Sequence, residues 1–120
     1  MRRVLALVSL ALLLGTPGAL AAPAEYILPG GELFPEGVAL RPGSDRFFVT
    51  STNDGAVFRG RLGRERTRVF LAPGARGRTN AVGIEATRDR LIVAGGQTGT
   101  VFVYTCGWQA RPPAPTPTGW

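Results

Sequence analysis

The 120 residues make one small domain at most, with a formal charge of +6 from fourteen basic and eight acidic residues. Every basic residue is arginine and histidine is absent, which excludes His-ligated copper, zinc or iron centres and Ser–His or Cys–His catalysis within this chain. The single cysteine, Cys106, leaves no partner for an internal disulfide and too few thiolates for a zinc site.

Residues 1–21 read as a signal peptide that forms a short helix. Arg2 and Arg3 make a positive start, residues 4–14 an apolar run, and Gly15, Pro17 and Gly18 break it. Ala19, Leu20 and Ala21 place small residues for cleavage before Ala22, so the chain is expected to be secreted or periplasmic. Removal of Arg2 and Arg3 would leave twelve basic and eight acidic residues, a net of +4. The apolar run is short for a bilayer span, so no stable membrane anchor is expected after cleavage. An uncleaved anchor is the alternative, and Sec and twin-arginine export both remain open.

Residues 22–33 are a lead-in, in which Tyr26, Ile27 and Leu28 suit a short strand before the turn at Pro29, Gly30 and Gly31. Strands are then expected over 37–40, 46–51, 56–62 and 68–72. The intervening turns are 41–44, 52–55 and 63–66, with Asp54-Gly55 supplying positive φ. The stretch from Asp45 to Phe58 recurs from Asp89 to Phe102: Asp, Arg, Val, Gly, Val and Phe return at an offset of 44 residues. A period of about 40–45 residues with two hairpins per unit is the pattern of a propeller blade. The expected fold is therefore all-β, with antiparallel four-stranded blades of a β-propeller. Residues 34–105 hold about two blades: the first over 34–74, an incomplete second over 79–105. Two blades leave sheet faces and edges uncovered, so self-association through the open blade edges is expected.

From Cys106 the pattern stops. Residues 106–120 contain four prolines and no strand alternation, and read as an extended, disordered tail. A natural Pro-rich tail and a reading frame lost near Tyr104 both account for this; translating the other frames past the Tyr104 codon separates them.

Three stretches carry a family likeness: Phe34-Pro35-Glu36-Gly37-Val38-Ala39, Val49-Thr50-Ser51-Thr52-Asn53-Asp54-Gly55, and Val93-Ala94-Gly95-Gly96-Gln97-Thr98-Gly99 followed by Val101-Phe102-Val103-Tyr104. They resemble the senescence-marker-protein-30/gluconolactonase-like (SMP-30/gluconolactonase-like) six-bladed propellers over residues 32–104, the first third of such a domain. Related NHL-repeat and strictosidine-synthase-like propellers share the "PEG" opening. The resemblance implies a metal-dependent lactone hydrolase acting on a small molecule, with a divalent metal such as calcium in the central channel. Glu36 matches the family's first-blade ligand, and Asn80 resembles a family Asn that usually lies further along. The later Asn and Asp ligands have no counterpart here, so the chain is expected to be inactive by itself. The plainer readings are a surface carboxylate for Glu36 and a turn residue bonding its own backbone for Asn80. A non-catalytic binding module of NHL type is the alternative function, and a non-functional gene fragment a third.

Arg59, Arg61, Arg64, Arg66 and Arg68 form a basic run that suits either a solvated hairpin or an anionic partner. No aromatic stacking set accompanies it, so nucleic acid is not an expected partner. Asp45 and Asp89 precede strands at matching positions and read as turn or strand caps. Gly95 to Gly99 joins two strands rather than opening a helix, which argues against a phosphate loop. Phe48, Phe58, Phe70, Phe102 and Tyr104 are expected to fill the core between blades, and Cys106 reads as an incidental thiol.

Overall fold

A computed structural model describes residues 21–105. The expected signal peptide, save Ala21, and the Pro-rich tail with Cys106 lie outside these residues. The fold is all-β. Strands β1 (Pro35–Leu40), β2 (Arg46–Ser51), β3 (Val57–Arg61) and β4 (Arg64–Leu71) form one antiparallel sheet in sequence order. Strands β5 (Ile84–Ala86), β6 (Arg90–Ala94) and β7 (Val101–Thr105) form a second. Among the described residues no helix is long and apolar enough to cross a membrane.

Strand alternation explains how the sheets meet. On β2, Phe48 and Thr50 point to one face, where Phe48 joins Val57 and Leu71. On the second sheet, Ala86, Leu91, Val93 and Tyr104 point back at them, and Ala81 of the linker completes the buried cluster. Ala39, Phe70, Ile84 and Phe102 pack around its margin, with the Phe48 and Phe70 rings 5.1 Å apart. Each large apolar side chain buried here contributes about 1.5–3 kcal/mol. Phe58 departs from expectation. It is buried, but the register places it opposite Val49, on the other face of the first sheet and outside this cluster.

The two sheets approach most closely along β1, β2 and β5. Gly37 makes this approach possible: a Cβ there would stand 2.5 Å from the Val82 carbonyl oxygen. Thr50 ties the same seam. Its buried hydroxyl accepts from the Gly37 N–H at 2.9 Å and donates to the Val82 carbonyl at 2.7 Å. Thr50→Val keeps the β-branched shape but leaves both groups without that partner. The expected loss is about 2 kcal/mol, read as a lower urea midpoint; an unchanged midpoint would show that the seam does not depend on this hydroxyl.

Several local expectations are corrected. The third turn is tighter than 63–66, because β4 already begins at Arg64. Arg64 sits opposite Arg61, and the pairing slips between there and Arg59, so extra residues of β4 are accommodated as a bulge. The β2–β3 turn falls at 52–55 as expected, but only Gly55 is left-handed, at φ 74°, and Asp54 is not. The Gly55 N–H donates to the Ser51 carbonyl at 3.1 Å, and the Asp54 carboxylate accepts from the Ala56 N–H at 3.0 Å. The strand starts beside Asp45 and Asp89 are capped by neighbouring hydroxyls, and the Asp89 carboxylate takes its part in the turn by accepting from the Thr87 hydroxyl at 3.1 Å. Ser44 accepts from the Arg46 N–H and Thr87 from the Arg90 N–H, each at 3.0 Å.

The lead-in runs along the first sheet. Ile27 adds a single parallel bridge beside Arg66 on the outer edge of β4, with its N–H donating to the Glu65 carbonyl at 2.9 Å. Tyr26 meets Phe47 edge to face, centroids 4.6 Å apart. At the other end, Ser51 donates its hydroxyl to the Leu33 carbonyl at 2.6 Å. Apolar surface stays exposed on both sheets, most at Val38 (69 %) and Val101 (63 %).

Candidate functional site

Strands β1 and β5 approach each other near their starts, where Gly37 meets Val82 and Ile84, and the two expected metal-ligating residues, Glu36 and Asn80, flank this approach. Glu36 is exposed on β1, at the bulge between the Pro35 and Val38 pairings. Among the described residues its carboxylate has no hydrogen bond or ion pair. Asn80 lies in the linker before β5. Its amide N–H donates to the Thr52 carbonyl, while the Thr52 N–H donates to the Phe34 carbonyl at 3.3 Å. Thr52 therefore joins the approach to β1 with the approach to β5. Asn80 is not the self-bonded turn residue of the plainer reading, because its partner is 28 residues away.

The Asn80 Oδ1 is buried and has no hydrogen-bond partner among the described residues. Gly96, in the 3-10 turn Gly96–Thr98 between β6 and β7, closes over it. A Cβ at Gly96 would stand 2.1 Å from that oxygen. A lone buried oxygen is the kind of group a cation would satisfy, and it fits the resemblance so far. The donor set does not extend further. Calcium takes about six to eight oxygens. Glu36 and Asn80 supply one side chain each, and no three His, Cys, Asp or Glu residues gather in ligating geometry among the described residues. The described residues do not by themselves fit a calcium site, and no chemical step is derived through one.

Sequence reasoning missed Arg78, the most buried cation among the described residues. It is fully inaccessible to solvent, although it follows a Gly-rich turn in a chain whose other arginines read as surface. Its Nε donates to the Gly55 carbonyl at 2.6 Å and one terminal nitrogen to the Ala72 carbonyl at 2.8 Å. The other terminal nitrogen donates to the Tyr104 hydroxyl, and the guanidinium also lies 5.3 Å from the Tyr104 ring centroid. One side chain thus joins the β2–β3 turn, the end of β4 and β7. No carboxylate is among these partners. The charge is met by carbonyl dipoles and the aromatic ring, so the role is structural. The only signal in the sequence is the pairing of this arginine with a tyrosine on an apolar strand face, which has no meaning before the strands are placed.

No family model matches this chain, and no curated protein or solved structure matches it.

Proposed function

We propose that the chain is an exported partial propeller of the SMP-30/gluconolactonase-like group. In that group the activity is metal-dependent lactone hydrolysis, which this chain does not perform alone. The observation that supports this reading is the repeat. The segment from Asp45 to Phe58 forms β2, its turn and the start of β3; the segment from Asp89 to Phe102 forms β6, its turn and the start of β7. The sheets pack face to face with β1 and β5 side by side, as in neighbouring blades around a common axis. Glu36 stands at the entrance of the first inner strand, where the resemblance puts a calcium ligand, and the later ligands have no counterpart among these residues.

The test is gluconolactone hydrolysis by the purified chain with and without millimolar calcium. The expected result is the uncatalysed rate in both. A calcium-dependent excess that Glu36→Gln abolishes would overturn the inactive reading and make the chain a hydrolase in its own right.

A second reading is a non-catalytic interaction module. It draws on β7, whose outer edge has no strand partner among the described residues and which exposes Val101 and Val103. An extended peptide could add to such an edge.

A further inference from the structure

The basic run becomes a surface only once the strands are in register. Arg46 on β2 sits opposite Arg61 on β3, Arg61 opposite Arg64 on β4, and Arg59 opposite Arg68. Arg66, on the bulged stretch of β4 between Arg64 and Arg68, lines the same groove. These six arginines, with Gly60 and Thr67, line a groove of about 460 Å³. No acidic side chain is among the lining residues; Asp45 reaches Arg61 from outside, at 3.7 Å. Arg59 pairs with Phe48, so the groove continues the face that holds the core between the sheets.

Like charges directly opposite each other on neighbouring strands oppose folding, and this sheet carries three such pairs. Arg59 shows the strain: partial burial, then repulsion from Arg68, Arg46 and Arg61, holds its guanidinium below the ordinary arginine range. It is steadied by the Phe70 ring, 5.1 Å from the guanidinium carbon. Three strands span about 10 Å and four residue steps along β4 about 13 Å, so six cations crowd a patch the size of a small molecule. Their planar forks suit bidentate bonds to oxyanions.

We propose that this groove binds a compact soluble oxyanion with several charges, of the polyphosphate class. A phosphate chain places several negative charges within the span of the patch, whereas a single carboxylate or sulfate would leave most of the repulsion standing. Single-stranded nucleic acid is disfavoured, because no aromatic residue is among the lining residues and the Phe70 ring already lies beneath Arg59. The inference does not depend on the propeller assignment, since it needs only the register of β2, β3 and β4.

The probe is tripolyphosphate, titrated calorimetrically into the purified chain, with thermal melts alongside. Binding is expected to weaken at least tenfold in the triple variant Arg59→Gln, Arg61→Gln, Arg68→Gln, and to stay within twofold in Arg76→Gln, which lies in the linker turn. Removing like charges should leave the triple variant at least as stable as the parent, so lost binding would not reflect unfolding. Lysine at the same three positions retains the charge without the fork and should recover part of the affinity. The proposal is overturned if the glutamine and lysine variants bind like the parent. It is equally overturned if tripolyphosphate raises the melting temperature no more than sodium chloride at the same ionic strength, which would mean diffuse screening only.

Discussion

Arg78→Ala is expected to destabilise the fold by about 4 kcal/mol, a large share of the roughly 5–15 kcal/mol available to a small domain. The substitution leaves the Gly55 and Ala72 carbonyls and the Tyr104 hydroxyl without their donor, and opens a cavity where a fully buried side chain stood. Hydrogen bonds to a charged group contribute about 1.5–3 kcal/mol each. Against this stands the desolvation of a guanidinium that has no carboxylate partner, a cost of several kcal/mol that the variant recovers. Arg78→Met decides between the two effects, because it fills much of the volume and donates nothing. If the hydrogen bonds dominate, Met should still lose about 2 kcal/mol; if desolvation dominates, it should equal or exceed the parent. Urea unfolding followed by circular dichroism measures both. Amide exchange adds a second readout: in Arg78→Ala, β6 and β7 should lose protection before β2 and β3, because the clasp joins the smaller sheet to the larger. Parent-like stability in both variants would remove Arg78 from the account of how the sheets are held together.

The strands were legible where the sequence alternates or repeats. β2 and β6 carry apolar residues bounded by turn chemistry, and the offset of 44 residues marks them as equivalent before any contact is known. Phe58 was harder. It is apolar and in a strand, but which face it takes depends on its pairing with Val49, and that pairing is set by the β2–β3 turn. The turn over 52–55 is where the sequence puts it, but its conformation is not: Asp-Gly suggests two left-handed residues, whereas only Gly55 takes positive φ. At the candidate site, the sequence marked Glu36 and Asn80 by motif but not what each touches: Asn80 is held by a carbonyl 28 residues away. Arg78 and the arginine groove illustrate the same limit from opposite sides. Fourteen arginines look alike in sequence. One is withdrawn from water by carbonyls that converge only in the folded chain, and six are gathered by a cross-strand register that a linear run cannot display.

Gly55→Ala should be nearly as damaging as the loss of Arg78, and for a connected reason. Alanine at φ 74° carries a left-handed strain of about 1–2 kcal/mol. The same strain at Gly43, φ 69° with open space around it, serves as the control, and Gly43→Ala should lose no more than that. At Gly55 the new Cβ would also stand 1.9 Å from the Arg78 carbonyl oxygen and 2.9 Å from the Asn80 amide nitrogen. Both are backbone atoms, so no side-chain rotation relieves the clash and the linker must move. Moving it draws Arg78 away from the Gly55 carbonyl that its Nε holds at 2.6 Å. The expected total is about 3 kcal/mol. Because one displacement produces part of both losses, the double variant with Arg78→Ala should fall short of the sum of the singles by at least about 1 kcal/mol. Additivity within about 0.5 kcal/mol would mean that the turn and the clasp act independently. In that case the tight packing of Gly55 against the linker would serve the turn alone, and the link between the two sheets would rest on the Thr50 seam and the apolar cluster.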